Sequence, residues 1–159
     1  GLGLVYGGGS VGLMGKIADS VLEAGGEVIG VIPEVLSRPE IAHPNLTKLH
    51  VVDSMHTRKM MMNDLCGAFI AMPGGIGTFE ELFEVLSWAQ LRIHAKPIGL
   101  LDVAGFWTSL RGLVDGSTAE GFINPIHREL LIRAVGSQEL LDLMGDAAVA
   151  EADPDAVNP

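Results

Sequence analysis

Along this chain, short apolar runs alternate with stretches whose apolar residues recur every three or four positions, and the two periods predict strands and helices in turn. Residues 2–6 are an apolar run ending in Gly7-Gly8-Gly9, as a buried strand entering a tight turn would. Met14, Ile17, Ala18, Val21 and Leu22 then follow helical spacing, and Gly25-Gly26 supplies the stop. Residues 28–32 read as a second strand closed by Pro33, and a polar loop with Pro39 and Pro44 leads to a third over 49–52. Asp53 or Ser54 can cap a helix reaching about Leu65. A fourth strand over 68–72 runs into Pro73-Gly74-Gly75-Ile76-Gly77, after which Thr78 opens a helix with Leu82, Val85, Leu86 and Ala89 on its buried face. A fifth strand over 97–101, a helix over 106–120 stopped by Gly121, a short strand over 131–134 and a helix over 137–144 complete the pattern.

Strands apolar on both faces and separated by helices imply a parallel sheet covered on both sides. The predicted class is therefore α/β, a Rossmann-like doubly wound parallel sheet in a single domain over residues 1–145. In such folds ligands sit at the carboxyl ends of the strands, where both glycine loops fall. Residues 146–159 hold four acidic residues, no basic ones and two prolines, and read as an acidic, poorly ordered tail. The net charge of −10 argues against nucleic acid as a partner but not against a small anion held by backbone N–H groups. No apolar run reaches the roughly 20 residues of a membrane span, and no basic-apolar leader is present. The single Cys66 cannot form an internal disulfide, which fits a reducing compartment, so the cytoplasm is the expected location.

Candidate chemistry lies in the loops. Gly7, Gly9 and Gly12 form G-x-G-x-x-G between a strand and a helix, a pattern that brings backbone close to a phosphate or merely permits tight strand–helix packing. Gly8-Gly9-Ser10-Val11-Gly12 also matches the G-x-S-x-G elbow of hydrolases, with Asp102 and His127 available later in the chain. A dinucleotide site with Glu34 as the ribose acid is a third option. In the second loop, glycines free the backbone and Thr78 begins a helix whose N–H groups favour an anion. Glu81, three residues on, has the spacing of a capping box, which on spacing alone favours a cap over a catalyst. Arg58 and Lys59 are two cations near a helix start, where acids are preferred; such a violation is expected at a site, or else marks a solvated pair.

At these residues the sequence resembles the Lonely Guy family, often mislabelled as lysine decarboxylases. The marks are Gly7-Gly8-Gly9-Ser10-Val11-Gly12-Leu13-Met14-Gly15, Met55-His56-Thr57-Arg58-Lys59, Pro73-Gly74-Gly75-Ile76-Gly77-Thr78-Phe79-Glu80-Glu81 and Trp88-Ala89-Gln90-Leu91. The resemblance implies a phosphoribohydrolase that releases N6-substituted adenines of the cytokinin type from their riboside 5′-monophosphates, leaving ribose 5-phosphate. It implies Arg58 and Glu81 as the catalytic pair. It also implies substrate contacts from Gly8 and Gly9, Lys59, Gly74, Gly75, Ile76, Gly77 and Thr78, with Glu40 and Ser87 as further contacts, and a homodimer. Family members usually carry a further strand, helix and small-residue turn before the first glycine loop. Here Gly1 starts almost on the strand, so either the chain is a piece of a longer one or that part of the phosphate site is missing.

No cofactor is expected. The five histidines form neither H-x-x-x-H nor H-E-x-x-H and the lone cysteine has no partner thiol, so no metal is needed. None of the four lysines lies in an evident pyridoxal phosphate site. A nucleotide-binding carrier or sensor without catalysis would share both glycine loops but would not need Arg58 and Glu81 together.

Overall fold

The computed structural model describes residues 1–38 and 41–152. The chain divides into two compact units, Gly1–Cys66 and Gly67–Pro159. Each is an α/β unit whose strands pair only in parallel, in the Rossmann-like manner expected, and each holds a three-stranded sheet.

The first unit runs β1 (Leu4–Tyr6), α1 (Gly12–Glu23), β2 (Val28–Pro33), β3 (Lys48–Val52) and α2 (Met55–Leu65), with strand order β1-β2-β3. The registers Tyr6↔Gly30 and Pro33↔Val52 align the carboxyl ends along one edge. The central strand is the most buried, because it alone is flanked by strands on both sides: Val28, Val31, Ile32 and Pro33 are all sealed from solvent. Pro33 closes it as expected, since its missing N–H does no harm at a strand end. Ala18 on α1 packs against Tyr6 and Val28, with Leu4, Val21, Leu22 and Leu46 around them.

The second unit runs β4 (Phe69–Ala71), α3 (Ile76–Gln90), β5 (Ile98–Leu101), α4 (Thr108–Ala119), α5 (Pro125–Arg128), β6 (Leu131–Ala134) and α6 (Ser137–Ala152), with strand order β4-β5-β6. Leu82, Ile98, Leu100 and Trp107 form its main core, with Phe79, Val85, Leu86 and Ala89 packed against it as the helical spacing predicts. Full burial of an aliphatic side chain such as Leu82, Ile98 or Leu100 contributes about 1.5–3 kcal/mol relative to exposure. Trp107 is fixed by Asp102, itself sealed from solvent. The Asp102 carboxylate accepts the Trp107 backbone N–H at 2.9 Å and pairs with Arg133. The Trp107 amide holds the Asp102 carboxyl below the usual carboxylate range; burial opposes this, and Arg133 reinforces it.

Several elements differ from the sequence pattern. α6 continues to Ala152 rather than stopping at Met144, because the alanines after Gly145 are strong helix formers; residues 153–159 lie outside the described set. The short α5 was not anticipated, although Asn124 caps it with its side chain, accepting the Ile126 N–H at 3.1 Å, and Pro125 occupies its first turn. The helix predicted from residue 106 begins at Thr108, preceded by a 3₁₀ turn over Val103–Gly105. Among the described residues no helix is long and apolar enough to cross a membrane.

Within that turn Ala104 sits at φ 53°, ψ 28°, a left-handed conformation that costs a residue with a Cβ about 1–2 kcal/mol. Ala104→Gly relieves the strain but gives the unfolded chain more freedom, worth about 0.5–1 kcal/mol the other way. The substitution should therefore raise stability by about 0.5–1 kcal/mol in urea unfolding; a fall in the midpoint would show the turn to be unstrained.

Candidate active site

In the first unit the loop after β1 is tied down by the segment Ile41–His43. Ser10 N donates to the Ile41 carbonyl at 2.8 Å, His43 N donates to the Gly8 carbonyl at 2.9 Å, and Gly9 and Ala42 form an antiparallel bridge. Tyr6 Oη donates to the Gly9 carbonyl at 3.1 Å, and burial, with the Asp19 charge adding to it, pushes the Tyr6 hydroxyl up to about 12. His43 is itself buried. Its Nδ1 accepts the Asn45 N–H at 3.2 Å, so in the neutral ring Nε2 carries the proton and donates to Asp19 at 3.1 Å. The Gly8 carbonyl and the Ser10 amide are thus already engaged within the protein.

The hydrolase elbow does not form. Ser10 Oγ donates to the Ile41 carbonyl at 3.1 Å, and the carboxylate expected to orient a histidine, Asp102, is committed to Trp107 and Arg133.

The loop after β3 carries the start signal of α2. Ser54 is the N-cap, its Oγ accepting the Thr57 N–H at 3.1 Å, while Thr57 Oγ1 donates to Asp53 at 2.5 Å. The Thr57 hydroxyl, and after it Ser54, keep the Asp53 carboxyl below its usual range. Arg58, one turn into the helix, is 9% exposed, so it is not a member of a solvated pair; its Nη1 lies 3.7 Å from Met55 Sδ. His43, Arg58 and Asp102 are the buried polar side chains among the described residues. Lys59 is half-buried and Met60 is 49% exposed.

In the second unit α3 begins earlier than expected. Gly75 is its N-cap and no side chain caps it, so Ile76, Gly77 and Thr78 form the first turn. This removes the capping-box reading: Thr78 lies inside the helix and Glu81 a turn beyond its start, where a carboxylate cannot close such a box. The glycines divide their tasks. A Cβ at Gly74 would collide with the Thr78 side chain, whereas a Cβ at Gly75 or Gly77 would meet nothing within 4 Å. The first-turn N–H groups have no partner inside the helix. Phe79 anchors this end, stacking on Phe106 at 6.3 Å and meeting Trp107 edge-on at 5.9 Å.

Glu81 is half-buried and Ser87 is exposed. Eleven residues of helix separate Ile76 from Ser87, about 16 Å of rise, so the anion-favouring end of α3 and Ser87 cannot contact one phosphate. Glu40 lies outside the described residues. Among the described residues no group of three or more His, Cys, Asp or Glu side chains is placed to hold a metal ion.

A family model described as "Possible lysine decarboxylase" matches residues 14–144. The chain is 50% identical over 142 residues to "Probable cytokinin riboside 5′-monophosphate phosphoribohydrolase LOGL3" of Oryza sativa subsp. japonica, covering 89% of this chain and 67% of that protein. The chain belongs to the Lonely Guy family. Two further members are similar to it. "Probable cytokinin riboside 5′-monophosphate phosphoribohydrolase LOGL9" of the same rice is 50% identical over 138 residues, 87% of this chain and 61% of that relative. "Cytokinin riboside 5′-monophosphate phosphoribohydrolase LOG1" of Arabidopsis thaliana is 48% identical over 143 residues, 90% of this chain and 67% of that relative. The chain spans about two thirds of the length of these Lonely Guy proteins.

The Ser54 cap sets where α2 starts and hence where Arg58 lies. Ser54→Ala should cost about 1 kcal/mol of stability, measured by urea unfolding. A loss within error of zero would mean that Asp53 alone can start the helix.

Proposed function

We propose that this chain is a nucleoside 5′-monophosphate phosphoribohydrolase that cleaves the bond between N9 and the ribose of N6-substituted adenosine 5′-monophosphates, giving the free base and ribose 5-phosphate. Membership in the Lonely Guy family and the names of its relatives support the reaction class. The observation that carries the reading is the start of α3: no side chain caps it, and a Cβ at Gly75 or Gly77 would meet nothing within 4 Å. A site that favours negative charge without a lysine suits a phosphate or a ribose oxygen.

In the reaction, water adds to C1′ as the bond from C1′ to N9 breaks, and the departing base takes up a proton. The transition state resembles an oxocarbenium ion, as in glycoside hydrolysis. Glu81 is assigned to that positive charge and to the attacking water, and Arg58 to the phosphoribosyl group. Lys59, Gly8 and Gly9, and the backbone of Gly74, Gly75, Ile76, Gly77 and Thr78 are assigned to nucleotide binding. Glu40 and Ser87 are assigned to further substrate contacts, with Ser87 meeting a part of the substrate other than one held at the start of α3. No metal or cofactor enters.

The reading extends to a homodimer in the cytoplasm. Leu91 and Ile93, at the end of α3, are 66% and 61% exposed, which supports an interface there. The single Cys66 suits a reducing compartment. Sedimentation at micromolar concentration should give a dimer, and a monomer would remove that part; cell fractionation tests the compartment.

Incubation with AMP and with N6-isopentenyladenosine 5′-monophosphate, followed by assay of ribose 5-phosphate, tests the central claim; nucleotide binding without product would make the chain a carrier or sensor. Glu81→Gln should lower kcat by about 10²–10⁴-fold with folding retained, and Arg58→Ala by about 10²–10³-fold. Wild-type turnover in either variant would strip that residue of its role.

A further inference from the structure

Gly7, the first residue after β1, was read from sequence as part of a phosphate-binding turn, but its surroundings point to a different task. A Cβ built on Gly7 would overlap Arg58 Nη2, lie 3.1 Å from Arg58 Cζ and 3.0 Å from Met14 Cε. The guanidinium therefore rests against the bare Cα, and the end of Met14 closes in beside it. Packing this close leaves no room for even one methyl group.

Two features separate this approach from ordinary glycine packing. Gly7 is not among the positive-φ glycines of the chain, so alanine could adopt its backbone without strain. What a methyl would strike is the flexible ends of two side chains, not backbone. At Gly15, by contrast, a Cβ would overlap the Ser10 carbonyl oxygen and lie 2.7 Å from its carbon, so the obstacle there is the main chain. Enlarging Gly15 disturbs the loop, whereas enlarging Gly7 moves a guanidinium.

We propose that Gly7 is a positioning residue for Arg58: the absent side chain is the seat of the guanidinium, and any Cβ at position 7 displaces it. As a statement about turnover this rests on the assignment of Arg58 to the substrate. As a statement about where the guanidinium lies, it does not.

The test is a double-mutant cycle on wild type, Gly7→Ala, Arg58→Ala and the double variant. Three quantities are followed: turnover of N6-isopentenyladenosine 5′-monophosphate, the urea midpoint, and the ¹⁵Nε–¹Hε resonance of Arg58, assigned by its loss in Arg58→Ala. Gly7→Ala should shift the Arg58 resonance and lower kcat by about 10²-fold, with KM changed less. In the Arg58→Ala background the same substitution should cost less than about twofold, because the group it displaces is already gone. An unmoved resonance, or equal loss of kcat in both backgrounds, overturns the proposal. If Gly7→Ala alone proves unstable, the double variant decides: recovery of the urea midpoint supports the seat, and continued instability makes Gly7 a backbone requirement and overturns it. If the wild type releases no ribose 5-phosphate, the functional reading falls, and the resonance still settles the seat.

Discussion

Parallel pairing is the constraint from which the rest follows. Parallel strands cannot be joined by a hairpin, so the chain must cross over and re-enter each strand at the same end, and every strand then releases its loop at one common edge. In the first unit, the registers that bind β1 to β2 and β2 to β3 bring out Gly7 and the pair Asp53-Ser54 along that edge. Only then can a helix capped by Ser54 lay Arg58 across Gly7. In the second unit the pairing Ala71↔Leu100 does the same for the loop before α3 and the segment from Asp102 to Trp107. Phe79 can consequently rest on Phe106 and Trp107, which a buried carboxylate holds in place.

The two glycine-rich loops look alike as text and differ as physical objects. In the first, the Gly8 carbonyl, the Gly9 carbonyl and the Ser10 amide are bonded within the protein, and the space at Gly7 is taken by a side chain. At these atoms the loop is tied into the protein's own packing. In the second, only Gly74 is required by a neighbour, and Gly75 and Gly77 face nothing within 4 Å. Composition cannot separate these cases, because a missing Cβ records that space is needed without recording what fills it.

The six strands and the principal helices were legible because apolar runs and helical spacing reflect burial, and burial is what organises this fold. The Ser54 cap was legible for the same local reason. The start of α3 was not: Thr78 carries the better side chain for a cap, yet the helix begins three residues earlier at Gly75, where no side chain takes part and Phe79 is held by aromatic neighbours remote in sequence. Arg58 and Glu81 could be nominated from residue type, position and family likeness. The burial of Arg58 could not be foreseen, since its guanidinium lies against a glycine some fifty positions away in the chain. The length of α6 was missed because acidic content suggested a tail where alanine content favours a helix.

The buried phenol of Tyr6 has a consequence for how the protein responds to its surroundings. A hydroxyl that loses its proton only near 12 remains a donor under every physiological condition, so its grip on the Gly9 carbonyl is indifferent to acidity. This one anchor of the loop beneath the buried guanidinium is thereby insulated from the acidity of the medium.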